Sequence, residues 1–109
     1  MKLIESFPLP PLPEGGGPRK VTMVAAGAVP HLMQFARIVL AAGQVAIAHA
    51  HGDWTEVFYV ESGEAVMTVD EASIHLRPGQ CLCIEPGERH ELRNDGNADF
   101  AMFFFSIRT

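Results

Sequence analysis

Three histidines and one glutamate are the residues of this chain whose types and spacing suit metal chemistry. His49 and His51 are two positions apart in an alternating segment, so both imidazoles are expected to project from one face of a strand. Glu56 begins the next alternating segment after a Gly-Asp turn, and His90 follows a Pro-Gly turn later in the chain. Three imidazoles and one carboxylate suit a divalent transition metal, and they leave coordination positions open, as catalytic metal sites do.

The other histidines and the two cysteines are not expected to be ligands. His31 follows a proline in a loop and is predicted to lie on the surface, and His75 alternates with apolar neighbours and is predicted to point away from the core. Cys81 and Cys83 are two apart on a predicted strand, which fits a disulfide poorly, so we expect free thiols that pack as small apolar side chains. No second cysteine pair is present to complete a zinc–sulfur site.

Short segments rich in β-branched and aromatic residues must position these side chains. Each segment is bounded by Gly, Pro, Asn or Asp, and none has the sustained 3.6-residue apolar period of a helix. The pattern predicts an all-β sandwich or barrel. The predicted strands lie at 20–28, 32–40, 45–51, 56–60, 65–69, 73–76, 81–85, 90–93 and 98–107.

The first 19 residues are rich in proline and contain three consecutive glycines, so we predict an extended arm at 1–19 before a single domain at 20–109. Near the other end, Phe103 and Phe105 are predicted to share one face of the last strand, with Phe104 on the other. A strand that is apolar on both faces is expected to be covered on both sides, by the arm or by a second copy of the chain.

The composition excludes some classes of partner. Charged residues make up 19% of the chain and the net charge is -5, which argues against nucleic acid as a partner and, through the low surface charge, favours a homodimer. No apolar run approaches the roughly 18 residues that span a bilayer, so no membrane association is expected. The N-terminus has no apolar signal-peptide core, so a cytoplasmic location is expected.

Two segments resemble the signatures of the cupin superfamily. The first resemblance runs over 43–63 and rests on Gly43, His49, His51, Glu56 and Gly63. The second runs over 79–94 and rests on Gly79, Pro86, Gly87, His90 and Asn94. Glu85 and Gln80 depart from the usual proline and aspartate of the second signature, but neither departure removes a ligand. The resemblance implies a jelly-roll β-barrel of two antiparallel sheets, with the four ligands in its mouth, and frequent dimerisation.

The resemblance also implies one divalent metal ion per subunit, which would be Fe, Mn, Ni or Zn, and a small organic substrate. Phe35, Phe58 and Met67 are expected to wall a small pocket around the metal, and Trp54 is expected either to line its mouth or to shield the barrel rim. Glu56 is the one ligand that could also move a proton. A metal-dependent enzyme is the first hypothesis, with a dioxygenase ahead of an isomerase, lyase or cyclase. The alternative is a module that binds or senses a small molecule without turnover.

Overall fold

The computed structural model describes residues 1–5, 8–11, 17–50 and 52–108, without the side chains at 47–49. These ranges contain nine strands: β1 (Arg19–Val24), β2 (Leu32–Leu40), β3 (Val45–His49), β4 (Trp54–Ser62), β5 (Ala65–Val69), β6 (Ala72–Leu76), β7 (Cys81–Ile84), β8 (His90–Arg93) and β9 (Phe100–Arg108). They contain no helix of the length and apolarity needed to cross a membrane.

The strands form two antiparallel sheets. One sheet has five strands in the order β1-β2-β9-β4-β7, and the other has four in the order β3-β8-β5-β6. The last strand, β9, pairs along its length with both β2 and β4, so the end of the chain lies at the centre of the larger sheet. The predicted all-β, two-sheet jelly-roll architecture is confirmed.

Alternation along the strands determines which side chains enter the space between the sheets. On β9, Phe104 and Ser106 are buried, whereas Phe103 and Phe105 are half-buried on the other face, as predicted. On β4, Phe58 is buried and Tyr59 is 46% exposed. The core that results includes Ala36, Leu40, Phe58, Val60, Ala65, Met67, Leu76, Ile84, Leu92, Phe100, Met102 and Phe104.

Three of the nine described strands have the predicted bounds at both ends, and the other six differ at one end or both. β2, β5 and β8 have the predicted limits. β1 ends at Val24 rather than at residue 28, because the chain then turns through Gly27, whose φ of 90° favours glycine. β4 begins at Trp54, two residues earlier than predicted, because Trp54 still pairs with Arg108 of β9.

A buried asparagine joins the loops at one end of the barrel. Asn94 has no exposed surface, and its amide nitrogen donates to the carbonyl oxygens of Leu40 at 3.0 Å and Ala98 at 2.8 Å. Its side-chain oxygen accepts from the backbone nitrogen of Gly96 at 2.9 Å. A buried amide satisfied on both sides in this way fixes the ends of β2 and β8 relative to each other.

Gly63, which ends the first signature segment, lies where two backbones approach closely. Its φ is 77°, and a Cβ added there would lie 2.3 Å from the carbonyl oxygen of Asp99. Any other residue would therefore have to push the β4–β5 turn away from the start of β9.

Candidate metal centre

Glu56 and His90 meet between the two sheets. Glu56 lies on the inward face of β4 in the larger sheet, and His90 begins β8 in the smaller one. Each is only 4% exposed, and Glu56 Oε1 lies 3.1 Å from His90 Nε2. Two of the predicted ligands are thus brought into contact in a desolvated position, where charged groups need a compensating partner.

Neighbouring groups hold both side chains in place. Ser106, the cross-strand partner of Glu56 on β9, donates its hydroxyl to Glu56 Oε2 at 3.3 Å. His90 Nδ1 lies 3.1 Å from the backbone carbonyl oxygen of Glu88. Because that carbonyl can only accept, Nδ1 carries the hydrogen of a neutral imidazole, and the lone pair of Nε2 is directed to the carboxylate.

This arrangement fits a bound cation. In the neutral imidazole, an Nε2 lone pair and a carboxylate oxygen 3.1 Å apart would repel each other, so a positive charge is needed between them. A proton on Nε2 meets that need in the absence of metal. Burial alone lowers the pKa of His90, but the contacts with Glu56 and the Glu88 carbonyl outweigh burial, so the pKa is raised overall. A metal ion would compete with this proton for the same atom.

The remaining two predicted ligands fall outside what the structure describes. The backbone of His49 is the cross-strand partner of His90 in the β3–β8 pair, but the side chain of His49 and the whole of His51 lie outside the described residues. The described side chains alone contain no group of three or more residues that could hold a metal. The four-residue ligand set therefore stays a prediction.

A small cavity of about 70 Å³ lies beside Glu56 and His90. Phe58 and Met67, which were expected in the pocket, both line it, and the Phe58 ring meets His90 nearly edge-on with the ring centroids 6.0 Å apart. The rest of its described lining is Ile38, Ala46, Leu92, Met102 and Phe104. Glu56 and His90 are the only titratable side chains in this described lining.

Two other expected pocket residues are absent from the described lining of this cavity. Trp54 is half-buried on the same face of β4 as Glu56, but it is not part of the cavity lining. Phe35 lies on the outer face of the larger sheet, where its ring is 6.2 Å from that of Phe103 and helps to line an open groove of about 340 Å³. This placement corrects the expectation for Phe35, because β2 turns its neighbour Ala36 into the core instead.

The side chains that were not expected to be ligands also have defined places. His31 and His75 are both exposed, as predicted, and His75 lies 3.9 Å from Glu64. Cys81 and Cys83 are free thiols as predicted, but they are exposed rather than packed in the core. The expectation of buried cysteines is therefore wrong, because β7 turns Leu82 and Ile84 inward instead.

Sequence reasoning did not identify Ser106 as part of the site. Its signal was present in the sequence, because it is a polar residue two positions after Phe104 in an apolar strand, and hence on the same face. Only the register of β9 against β4 shows that this face brings the hydroxyl to Glu56.

Comparisons with known proteins agree with this geometry. The family model described as "Cupin domain" matches residues 36–106. An oxalate-binding protein of Thermotoga maritima is 31% identical over 65 residues, which are 60% of this chain and 54% of that protein. The chain spans about half the length of the curated relatives it matches.

Solved structures share the fold. A predicted oxalate decarboxylase from Thermotoga maritima has a TM-score of 0.81 at 24% identity, covering 84% of this chain and 81% of that one. A cupin 2 conserved barrel domain protein from Salinispora arenicola has a TM-score of 0.78 at 22% identity, covering 99% and 92%. With the family model matching more than half of its length, the chain belongs to the cupin domain family.

Proposed function

We propose that the chain binds one divalent metal ion through His49, His51, Glu56 and His90, and acts on a small organic substrate in the cavity beside it. The observation that carries this proposal is the contact of Glu56 and His90 at 3.1 Å in a position that is 4% exposed. Two buried ligand atoms this close could share one cation, and they would supply half of the proposed four-residue site. The backbone pairing of His49 with His90 supports a third ligand, because it places this predicted ligand on the strand next to His90.

The residues around the site suit a ligand shell that is fixed in advance. Ser106 orients one oxygen of Glu56 and leaves the other to face His90, while the Glu88 carbonyl fixes the tautomer of His90. A divalent ion held there supplies Lewis-acid chemistry to an oxygen-donor substrate, and iron adds redox chemistry with O₂. The apolar lining excludes water from the substrate, and Glu56 is the side chain placed to take a proton from it.

The cavity favours a compact substrate. A volume of about 70 Å³ is far below the range of drug-sized pockets, and it holds only a few heavy atoms. A small carboxylate or keto acid that chelates the metal through oxygen is the class that fits. The names of the relatives, an oxalate-binding protein and a predicted oxalate decarboxylase, support the same class.

Dioxygenation is the first reaction to test, because it asks least of acid–base groups other than the metal ligands. Isomerase, lyase and cyclase reactions follow, since each needs a proton shuttle and the described lining offers Glu56 alone for that role once His90 binds metal. The name of one relative, an oxalate-binding protein, favours a second candidate, a module that binds its ligand without turnover.

Elemental analysis by mass spectrometry of protein purified without chelators tests the metal site. We expect close to one ion of Fe, Mn, Ni or Zn per chain, and clearly lower metal content in His49→Ala and in His90→Ala, because each variant has lost a ligand. His75→Ala is the matched control, because His75 is an exposed histidine on β6, at the edge of the smaller sheet. This variant should keep full metal content. Equal metal content in all four proteins would contradict the proposal.

Oxygen uptake and ligand binding then separate the two candidates. The Fe(II)-loaded protein is exposed to O₂ with catechols, flavonols and keto acids, and oxalate is titrated by calorimetry. Oxygen consumption that is lost in Glu56→Gln supports the enzyme. Saturable binding without consumption of O₂ or ligand supports the module.

The proposal also includes expectations about assembly, partners, location and domain division. The homodimer, the absence of a nucleic-acid partner, the cytoplasmic location and the division into an arm at 1–19 and a domain at 20–109 stay predictions. Light scattering on the purified protein measures the first of them directly.

A further inference from the structure

Two thiols share the outer face of β7. Leu82 and Ile84 of this strand are directed to the core, whereas Cys81 and Cys83 are exposed and carry no disulfide. β7 is the terminal strand of the larger sheet in the order that the described strands form. Solvent can therefore reach both cysteines from the outer face of the sheet and from its edge.

The thiols lie on the opposite side of the sheet from the proposed metal centre. Cys83 pairs with Val57 of β4, while the next residue, Ile84, pairs with Glu56. Consecutive positions point to opposite faces, so the sheet itself separates the sulfur atoms from the Glu56 carboxylate. Cys81 also lines the apolar outer groove together with Tyr59, its cross-strand partner.

The spacing of the two cysteines disfavours a disulfide. Residues two apart on a strand have Cα atoms about 6.6 Å apart, near the upper limit for a disulfide, and their Cβ atoms point in parallel instead of converging. If the metal–sulfur bonds have about the 2.3 Å length of Zn–S bonds, two sulfur atoms that bind one ion linearly lie about 4.6 Å apart, over twice the length of an S–S bond. Parallel side chains on one strand can reach that separation by rotation about χ1 alone.

We propose that Cys81 and Cys83 together bind one soft monovalent cation of the Cu(I) or Ag(I) class. Thiolates select such ions over the hard divalent ions that carboxylates and water prefer. Binding replaces the two thiol protons, which leave to solvent, by two metal–sulfur bonds, and the complex carries one net negative charge. No electron is transferred, so no oxidant or reductant is required.

This second site would differ from the first in both location and ligand chemistry. The proposed barrel site offers imidazole and carboxylate in a buried position, whereas β7 offers two sulfur atoms on an exposed face. The barrel site should therefore prefer divalent transition-metal ions, and the two thiols should prefer soft monovalent ions. Each site should bind its ion whether or not the other site is occupied.

Titration of reduced, full-length protein with Cu(I) under anaerobic conditions, in competition with a chromogenic Cu(I) chelator, tests the inference. We expect one Cu(I) per chain and an ultraviolet thiolate-to-Cu(I) band. Cys81→Ser and Cys83→Ser should each weaken binding by at least about tenfold, because each removes one of two ligands. His90→Ala is the matched control and should bind Cu(I) as the unaltered chain does, which also separates this inference from the barrel proposal.

Three outcomes would overturn it. Cu(I) binding that survives either serine substitution at full strength would show that the two thiols do not act together. Binding lost in His90→Ala would place the ion in the barrel. Half an ion per chain, with a doubled mass by light scattering during the titration, would show that thiols of two different copies share the ion.

Discussion

The two faces of the larger sheet are both rich in aromatic residues, yet they have different surroundings. On the inner face, Phe104 and Phe58 pack with their ring centroids 5.7 Å apart and line the cavity beside the contact between Glu56 and His90. On the outer face, Phe103 and its neighbours line an open groove that includes an exposed thiol. Side chains one position apart in sequence thus lie in a closed core and on an open surface.

The different exposure of the two faces gives the polar pairs on them different properties. An ion pair on the outer face, Arg37 with Glu61, still contacts water, which screens its attraction, so the pair contributes little to stability. The pair of Glu56 and His90 is desolvated, and its charges must be matched by a proton or a metal. The same residue type, glutamate, therefore serves two purposes on the two faces of β4.

The largest expected difference between the faces is in stability. Phe104→Ala should lower the free energy of unfolding by about 3–5 kcal/mol, because Phe104 is 7% exposed and its removal leaves a cavity between the sheets. Phe103→Ala should cost clearly less, since its half-buried ring already borders an open groove. Urea unfolding of the metal-free proteins measures both, and equal losses would show that the outer face is as closely packed as the inner one.

The next largest effect concerns metal affinity. Glu56→Gln should weaken metal binding by at least about 100-fold, because it replaces a charged ligand while keeping the shape of the side chain. Glu61→Gln makes the same chemical change on the same strand, but on the outer face, and should leave affinity unchanged. Competition with a fluorescent chelator measures both variants. Parallel losses in the two would indicate a general effect of charge and would contradict a site centred on Glu56.

The sequence predicted those parts of the molecule where polar and apolar residues alternate. On β4, the order of Glu56, Phe58 and Tyr59 defines the inner and outer faces, and the structure agrees with it. β2 and β7 are apolar at most positions, so their sequences do not show which of the two alternating sets of side chains faces the core. This is why Phe35 was expected in the pocket and why Cys81 was expected to be buried.

Contacts between distant strands were beyond the reach of the sequence. Ser106 reaches Glu56 only because β9 pairs with β4 in one register, and a shift by one residue would present Phe105 instead. The signature spacing predicted that His90 would approach Glu56, but not that the Glu88 carbonyl would fix its tautomer. That contact depends on the conformation of the turn before β8.

Ser106→Ala should have a smaller effect than loss of Glu56 itself. It removes the hydroxyl that holds Glu56 Oε2, and the loss of such a partner weakens metal binding by about tenfold. Ser106→Thr keeps the hydroxyl and should restore most of the affinity, which a purely structural role for the small side chain would not predict. If the threonine variant binds metal as weakly as the alanine variant, the hydrogen bond is not what positions the carboxylate.

The smallest expected effect is on the outer face and depends on pH. The Arg37 guanidinium contacts both oxygens of Glu61, at 2.6 and 3.2 Å, and this hydrogen bonding lowers the pKa of Glu61 despite the opposing effect of partial burial. A carboxyl whose pKa is lower in the folded than in the unfolded state contributes stability above its unfolded pKa and loses it as the pH falls through the folded value.

The unaltered chain should therefore exceed Glu61→Gln in stability by less than about 1 kcal/mol at neutral pH, because both side chains still contact water, which screens their attraction. That difference in stability should shrink as the pH falls below 4.5, the ordinary pKa of a glutamate. Protonation of the other groups affects both proteins equally, so it cancels in the comparison. Urea unfolding of both proteins at neutral and acidic pH measures it. A difference that is independent of pH would mean that Glu61 acts through packing, and the contrast between the two glutamates of β4 would then lose its electrostatic basis.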